Sequence, residues 1–306
     1  MNQNAQLRFG LVGTGYWARV AHARALVSTP GVALTAVWGR NQDAAAALAA
    51  DFGATAMPDF EAFLAETDAV AFSVPPDVQN QLAIRAAAAG RHLLLEKPVG
   101  LGADAADALA AAAEAAGVAS VVFFTARFQP ATRAWLRAVT EAGGWAGGSA
   151  TWLAAVYSPS SPFNTPWRRD KGGLWDIGPH AVSMLWEILG PVRHVTADSG
   201  RGDLTYLVLH HEGGATSSAT LTLGAPEAAD SFTLQVWGEH GIQTMPSLAS
   251  DPVEALRAAL TDLAAHARAG ETSHPLDVRF GRDVTHVLAA AQRELDARRV
   301  QQDYAQ

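Results

Sequence analysis

The feature that most constrains this chain is a glycine-rich turn between an apolar strand and a helix. The run Leu7–Val12 leads directly into Gly13-Thr14-Gly15-Tyr16-Trp17-Ala18, the G-x-G-x-x-A pattern of a βαβ unit. Gly13 allows a sharp turn, Gly15 lets a phosphate approach the backbone, and Ala18 lets the helix lie close to the sheet. The free N–H groups and the dipole of that helix favour a pyrophosphate. The turn predicts a dinucleotide site; the alternative is a tight turn in a domain that binds something else.

Composition narrows the classes of function. The chain has 306 residues, of which 49% are hydrophobic and 17% are charged, so its apolar content suffices for two domains with cores. The formal net charge of −8, without a run rich in Lys or Arg, argues against nucleic acid or an anionic membrane as partner. The absence of cysteine excludes disulfides, thiolate zinc sites and thiol nucleophiles.

Two segments bear on the location of the protein. The first six residues, Met1 to Gln6, contain neither the basic nor the apolar part of a signal peptide. The alanine-rich run Ala103–Ala116 is interrupted by acidic residues, which indicates an amphipathic helix rather than a membrane span. We therefore expect a cytoplasmic protein.

Apolar runs alternate with helix-forming stretches up to about residue 124. The predicted strands are Leu7–Val12, Ala33–Trp38, Ala69–Val74, His92–Leu95 and Val118–Phe124. Helices are predicted from composition over residues 16–27 and over Asp43–Phe52, Asp59–Glu66, Val78–Ala89 and Ala103–Ala116. This alternation predicts a parallel sheet covered on both faces, that is, a doubly wound α/β domain over residues 1–124.

The remainder, residues 125–306, has a different pattern. Its predicted strands are Ser149–Tyr157, Val192–Asp198, Thr205–His211, Ala215–Leu223 and Ser231–Trp237. A short turn, Glu212-Gly213-Gly214, joins two of them, and helices are predicted over Val253–Arg268 and Asp283–Arg298. Successive strands with short turns indicate an antiparallel meander in an α+β domain.

A lysine directly follows one of the predicted parallel strands. The strand His92–Leu95 leads into Glu96-Lys97-Pro98. Ligands of doubly wound sheets bind outside the carboxyl ends of the strands, so Lys97 is expected to point into a nicotinamide crevice. Pro98 restricts the backbone of Lys97, and a cis bond before Pro98 is possible. The alternative is a surface lysine at a strand end.

A glycine-rich segment of the second half is the other candidate site. It reads Gly172-Gly173-Leu174-Trp175-Asp176-Ile177-Gly178-Pro179-His180. Pro179 suits the first turn of a helix that stops at Gly190. His180 lies opposite the apolar stripe of that helix, which argues against a core histidine; the alternative is an exposed histidine at a helix start. Asp176 is placed to hydrogen-bond or orient the ring from the entering loop.

The glycine-rich turn, the Glu-Lys-Pro triplet and the Gly-Gly-x-x-Asp-x-Gly-x-His segment occur in this order. This ordered set of motifs resembles that of the oxidoreductase family named for glucose–fructose oxidoreductase, inositol dehydrogenase and the MocA protein. The resemblance covers essentially the whole chain. The resemblance implies an N-terminal Rossmann domain and a C-terminal substrate-binding domain with a large open, mainly antiparallel sheet. That sheet often forms the oligomer interface, so a homodimer or homotetramer is expected.

The resemblance also implies roles for residues. Lys97 matches the family's catalytic lysine, and Asp176 and His180 match its polar pair, with the histidine as acid/base. The substrate pocket is expected to include Arg127, Trp167 and Arg168. The cofactor is expected to contact Gly13, Thr14, Gly15, Tyr16, Trp17, Arg40, Pro75, Glu96 and Lys97. Four aromatic residues are expected either to line the pocket or to pack in the core or an interface, namely Trp152, Tyr157, Trp167 and Trp175.

Two positions depart from the family pattern. Ser183 stands where an Asp is usual, and Gln79 where a His often begins the helix before the Lys-Pro strand. Neither change removes a group essential to hydride transfer, but both leave the particular substrate open. The second strand ends at Gly39-Arg40 without a carboxylate, and Arg40 suits a 2′-phosphate, which favours NADP with NAD possible. The alternative for Arg40 is a solvated loop residue.

The expected reaction is hydride transfer between NADP(H) or NAD(H) and a hydroxyl or carbonyl carbon of a sugar, cyclitol or diol. His180 would exchange the hydroxyl proton, Lys97 would stabilise the developing charge on oxygen, and Asp176 would orient the ring. No closed set of metal ligands is visible. Two alternatives stay open: a non-catalytic NAD(P)-binding regulatory protein, and an enzyme that retains its nicotinamide through a net non-redox reaction.

Overall fold

The glycine-rich turn lies at the carboxyl edge of a parallel sheet of six strands. The computed structural model describes residues 6–248 and 251–304, so residues 1–5, which carry most of the signal-peptide prediction, lie outside it. The strands are β1 (Leu7–Val12), β2 (Val32–Trp38), β3 (Thr55–Ala56), β4 (Ala69–Phe72), β5 (His92–Glu96) and β6 (Ser120–Phe123). The order β3-β2-β1-β4-β5-β6, with every pairing parallel, confirms the predicted doubly wound sheet.

Helices connect these strands. They are α1 (Arg24–Ser28, continuous with a π-helical turn at Ala18–Ala23), α2 (Gln42–Phe52), α3 (Phe60–Ala65), α4 (Pro76–Ala88) and α5 (Ala103–Ala116). Asn41 and Asp59 start α2 and α3 by accepting hydrogen bonds from backbone N–H groups in the first turn. The chain leaves β1 toward one side of the sheet and later returns to β4 on the other. The two halves of the sheet therefore diverge between β1 and β4, which is the place where ligands of such sheets bind.

A second sheet of six strands follows. It consists of β7 (Trp145–Leu153), β8 (Val192–Ser199), β9 (Thr205–His211), β10 (Thr216–Thr222), β11 (Ser231–Gly238) and β12 (Gly241–Thr244). The order is β12-β11-β7-β10-β9-β8, and only the central β7–β10 pair is parallel. The predicted meander is present as β8-β9-β10, and the large, mainly antiparallel sheet is confirmed.

One face of this second sheet is covered and the other is exposed. The helices of this part are α6 (Pro130–Ala142), α7 (Pro166–Asp176) and α8 (Gly178–Leu189), of which α8 lies against β7 and β10. His210 and His211 point to opposite faces, and only His211 is fully buried. The ring of His211 bonds the carbonyl of Gly190 at 2.7 Å and the hydroxyl of Ser217 at 2.8 Å. Burial lowers the pKa of His211 below its usual range, so the neutral ring is favoured.

The chain forms two compact units, to which the last two helices contribute differently. These helices are α9 (Pro252–Ala269) and α10 (Val278–Tyr304). One unit contains residues 6–128 and 251–283, and the other contains residues 129–248 and 284–304. The C-terminal segment thus contributes α9 to the unit of the parallel sheet, whereas the sequence places it in a domain over residues 125–306. The division at residue 124 into cofactor and substrate domains stays a prediction. In the described part of the chain, none of the helices combines the length and apolar character that a membrane span requires.

Candidate active site

The glycine-rich turn leaves β1 with two glycines in different roles. Gly13 has a φ of +115°, and a Cβ there would lie 2.3 Å from the carbonyl oxygen of Ser73, so the position requires glycine. At Gly15 a Cβ would meet no atom within 4 Å. The space in front of Gly15 adjoins the first N–H groups of the helix that begins at Tyr16. Open space beside free helix N–H groups is what a pyrophosphate needs, so these residues fit a dinucleotide.

The residues after β2 lie at the same edge of the sheet. A Cβ at Gly39 would come within 2.8 Å of the Thr14 methyl group, so a larger residue at position 39 would press on the glycine-rich turn. Gln42 donates a hydrogen bond to the Gly39 carbonyl at 3.0 Å, which fixes the backbone there. The Arg40 side chain is exposed. This edge therefore offers a cation and, within residues 37–41, no carboxylate.

Glu96, at the end of β5, is held by its carboxylate and by its backbone. Oε1 accepts a hydrogen bond from Trp17 Nε1 at 2.8 Å and lies 2.9 Å from His22 Nε2. The side-chain amide of Gln79 accepts from the Glu96 N–H at 2.7 Å and donates to the Glu96 carbonyl at 2.6 Å. Glu96 thus joins the glycine-rich turn to the strand that ends in Lys97. Gln79, which the sequence shows only as a departure from a pattern, fixes the end of that strand.

Lys97 follows at this edge and is half-buried. The Lys97–Pro98 peptide bond is cis, as the sequence allows. Pro75 stands just before α4 and its carbonyl accepts a hydrogen bond from the Gln79 N–H at 2.8 Å. Gly13, Pro75 and Lys97 each follow a strand of the same parallel sheet, so the carboxyl edge of that sheet gathers the predicted cofactor residues.

Arg127 lies in a short 3₁₀ helix of the same unit, Thr125–Phe128. Its side chain is buried, and the guanidinium carbon lies 5.3 Å from the centre of the Phe280 ring. A guanidinium over an aromatic face is a stabilising contact in its own right. This contact ties Arg127 to the core of its unit, and its place in the substrate pocket stays a prediction.

In the other unit, the segment that ends at His180 is helical rather than a loop. Helix α7 is interrupted at Gly172, which has φ +66° and ψ −166°, and helical structure resumes at Gly173. Asp176 is the last residue of α7, not part of an entering loop. Pro179 is in the first turn of α8 and Gly190 follows its last residue, as predicted.

His180 does not lie on an exposed helix face. Projection of the sequence onto a helix places His180 with Ser183 and Met184 opposite the apolar stripe, but all three residues are buried. The reason is that α8 contacts α6 and α7 in addition to strands β7 and β10, so both of its faces are covered. The His180 ring lies 5.4 Å from the ring of Trp152, between ring centres.

Asp176 is paired with an arginine. Arg168 Nε donates to Asp176 Oδ2 at 2.9 Å, and both side chains are largely buried. The guanidinium also lies 4.6 Å from the Trp167 ring and 5.4 Å from the Phe163 ring, so aromatic faces hold it in place. Two of the predicted substrate residues, Trp167 and Arg168, are therefore assembled around the predicted catalytic carboxylate.

The four aromatic residues differ in their burial and in their partners. Trp175 is buried and donates from Nε1 to Gln292 at 3.0 Å, which fits the core packing that the sequence leaves open for it. Trp152 is partly exposed and contacts both His180 and Phe232. Tyr157 donates its hydroxyl to the Arg168 carbonyl at 2.9 Å.

The sequence reasoning missed a carboxylate, Asp203. It lies in the loop between β8 and β9 and accepts a hydrogen bond from the Gly173 N–H at 3.2 Å. Burial raises the pKa of Tyr157, and the nearby Asp203 carboxylate raises it further, so the phenol stays protonated. Within the described residues, no group of three or more His, Asp or Glu side chains is arranged to hold a metal ion.

Together these features define a two-unit α/β protein of the dinucleotide-binding class. Comparison with known proteins makes the class specific. Residues 7–124 match the oxidoreductase family with an NAD-binding Rossmann fold, and residues 146–244 match the C-terminal domain of the same family. The chain belongs to the GFO/IDH/MocA oxidoreductase family, as its motifs predict.

Individual relatives are distant. The chain is 27% identical over 246 residues to glucose-fructose oxidoreductase domain-containing protein 2 of Xenopus laevis, covering 71% of this chain and 62% of that protein. It is 33% identical over 196 residues to dTDP-3,4-didehydro-2,6-dideoxy-alpha-D-glucose 3-reductase of Streptomyces antibioticus, covering 62% and 58%. The structure of GenD2 from gentamicin A biosynthesis, in complex with NAD, has a TM-score of 0.83 at 22% identity, covering 97% and 96%. The chain thus matches less than two thirds of the length of its curated relatives and shares the fold of GenD2.

Proposed function

We propose that the protein transfers a hydride between NADP(H) or NAD(H) and a hydroxyl or carbonyl carbon of a sugar or a related cyclitol or diol. The observation that carries this proposal is the carboxyl edge of the parallel sheet, where the open space at Gly15 and the lysine after β5 occur together. The reductase of Streptomyces antibioticus acts, by its name, on a nucleotide-linked sugar, which supports a sugar as substrate.

The roles of the residues follow from their chemistry. The nicotinamide, when bound, supplies or accepts the hydride. His180 accepts the proton of the substrate hydroxyl during oxidation and returns it during reduction. The Lys97 ammonium donates a hydrogen bond to the substrate and stabilises the negative charge that develops on its oxygen. Asp176, which accepts a hydrogen bond from Arg168, orients the ring of His180.

The test is turnover by two variants. His180→Asn and Lys97→Ala are each expected to lower kcat by roughly two to four orders of magnitude, the usual contribution of acid–base groups. The substrate is found by following absorbance at 340 nm over sugars, cyclitols and diols with both nicotinamide cofactors. Near-normal turnover in both variants would refute the roles. Binding of the dinucleotide without any turnover would favour the regulatory protein, and product formation without net absorbance change would favour a retained nicotinamide.

The preference for NADP over NAD is a separate proposal. It is supported by Gly39, where NAD-specific sheets usually carry an acid, and by the exposed Arg40 beside it. Losing a charged hydrogen bond to the 2′-phosphate costs about 1.5–3 kcal/mol, or roughly 10- to 100-fold. Arg40→Ala is expected to lower kcat/KM for NADP by this factor and to leave kcat/KM for NAD within about twofold. Arg24→Ala, also exposed, is the matched control.

We also propose that the exposed face of the second sheet joins copies of the chain into a homodimer or homotetramer. Large apolar side chains project from this face, namely those of Tyr206, Val208, Trp237 and Ile242. Trp237 and Ile242 are cross-strand partners in register, so they form one apolar patch. Val208→Lys is expected to shift the mass measured by light scattering to that of a monomer; an unchanged mass would contradict this interface. Cytoplasmic location stays a prediction.

A further inference from the structure

We propose that Asp203 is a positioning residue for the helical segment that carries Asp176 and His180. The proposal extends the proposed function, because it concerns the placement of the same two groups. Its structural part concerns only the second unit and is measurable without a substrate. The proposal rests on the hydrogen bonds of one carboxylate, on a break in α7 and on the contacts of α8.

The Asp203 carboxylate connects two segments that are far apart in the sequence. Oδ2 accepts from the Gly173 N–H at 3.2 Å and from the Leu223 N–H at 2.8 Å. Oδ1 accepts from the Thr222 hydroxyl at 2.5 Å and from the Gly224 N–H at 3.2 Å. An ionised carboxylate accepts at all of these positions at once, whereas an asparagine in its place must direct an NH₂ group at some of these donors.

The bond to Gly173 acts at the start of a helical segment. At Gly172 the backbone is not helical, and a Cβ there would lie 3.3 Å from the Cβ of Asp203. Helical hydrogen bonding resumes one residue later, where the Ile177 N–H bonds the Gly173 carbonyl at 3.0 Å. The Gly173 N–H therefore belongs to a first turn and needs an acceptor from outside the helix. Asp203 supplies it and, as an anion, also suits the positive end of the helix dipole.

The other bonds of Asp203 anchor it to the sheet. Thr222 is the last residue of β10, and β10 pairs in parallel with β7. Trp152, on β7, is the residue whose ring contacts His180. Asp203 thus joins the start of the helical segment to the strands against which its histidine lies, so the segment is fixed along its axis relative to Trp152.

Asp203 also acts, through Tyr157, on Arg168, the arginine that pairs with Asp176. The Tyr157 phenol, kept protonated by burial and by the Asp203 charge, donates to the carbonyl of Arg168. Arg168 in turn donates to Asp176. The same carboxylate therefore supports the helix before the break, through Tyr157, and the helix after it, through Gly173.

The experiment compares Asp203→Asn with Asp170→Asn. Asp170 lines the same cavity as Asp203 but is mostly exposed and pairs with the neighbouring Lys171, so it controls for the lost charge. Amide hydrogen exchange is measured by mass spectrometry over residues 173–180. Exchange is expected to accelerate by about tenfold or more in D203N and to stay within about twofold in D170N.

Kinetics test the catalytic consequence. A small displacement of reacting groups costs up to about a hundredfold, so kcat is expected to fall roughly 10- to 100-fold in D203N. The KM for the dinucleotide is expected to stay within about twofold, because its proposed contacts lie in the other unit. The acid limb of the pH profile of kcat is expected to move by about half a unit or more, since the surroundings of His180 change. A loss of stability alone would leave that limb in place.

Each result bears on the proposal. Exchange in D203N equal to that in D170N would overturn the anchoring role. Faster exchange with an unchanged kcat and pH profile would overturn the positioning role. If D203N does not fold, Gly172→Ala disturbs the same junction while keeping the carboxylate, and it is expected to accelerate exchange over the same residues. If the wild type turns over no substrate, the proposed function fails, while the exchange data still decide whether Asp203 anchors the helix.

Discussion

Replacing Gln79 by methionine tests whether one buried amide holds the strand end that carries Lys97. Methionine has a similar length and shape but neither donates nor accepts the hydrogen bonds of the amide. Gln79 is fully buried, and its amide bonds both backbone groups of Glu96, at 2.6 and 2.7 Å. The substitution therefore leaves one N–H and one C=O without the partner they have in the native protein.

The expected loss of stability follows from these two groups. A buried polar group left without a partner costs about 1–3 kcal/mol, and partial exposure of Glu96 places the cost toward the lower end. We expect a loss of about 2–4 kcal/mol, or a fall in Tm of roughly 5–15 °C for a unit of this size. Turnover is expected to fall by about tenfold, because Lys97 directly follows the released residue.

Gln81→Met is the matched control. Gln81 lies on the same helix but is exposed, so its replacement is expected to change stability by no more than about 0.5 kcal/mol. Thermal unfolding followed by circular dichroism and steady-state kcat are measured for both variants. If Gln79→Met and Gln81→Met have the same Tm and the same kcat, the amide does not hold the strand and the reasoning is refuted.

Three further predictions concern other parts of the structure. Gly15→Ala is expected to retain wild-type stability but to weaken dinucleotide binding about tenfold or more, whereas Gly13→Ala is expected to lower Tm. Calorimetry measures Tm and titration measures dinucleotide binding, and equal effects of the two variants on Tm would contradict the separate roles. The free energy of unfolding is expected to fall as the pH drops below about 6.5, because His211 binds a proton in the unfolded chain but resists protonation when it is buried. Urea titrations at several pH values measure this dependence, which His211→Gln is expected to reduce. An unaltered pH dependence in that variant would contradict the role of His211. Arg168→Lys is expected to lower kcat about tenfold with a smaller change in KM, since Arg168 acts through Asp176; a change in KM alone would instead indicate direct substrate binding.

The elements that depend on local sequence are the ones that the sequence predicts well. Residues 7–12 form the first strand with the predicted bounds, because a short apolar run bounded by a glycine with positive φ favours a buried strand. Helix α8 begins and ends where Pro179 and Gly190 indicate, since proline and glycine act on the backbone of their own neighbours. The order of the three motifs was sufficient to identify the family.

Features that depend on distant contacts were missed. Gln79 acts on a backbone 17 residues away and Asp203 on one 30 residues away, and neither belongs to a periodic pattern. The helix projection around His180 assumes one buried face, but contacts with α6 and α7 bury the opposite face as well. The sequence predicts Asp176 in a loop that enters α8, whereas the fold keeps helical structure from Gly173 to Asp176 and interrupts α7 at Gly172.

The assignment of α9 to the unit of the parallel sheet has a consequence for biosynthesis. Its buried leucines, Leu256, Leu260 and Leu263, lie on a helix that contacts β5, β6 and α1. A ribosome releases that helix only after the whole second sheet has been made. Until then a nascent chain exposes the apolar surface that α9 later covers, so the first domain to be translated is not the first to be finished. A fragment cut at residue 124 would keep that surface open to solvent permanently.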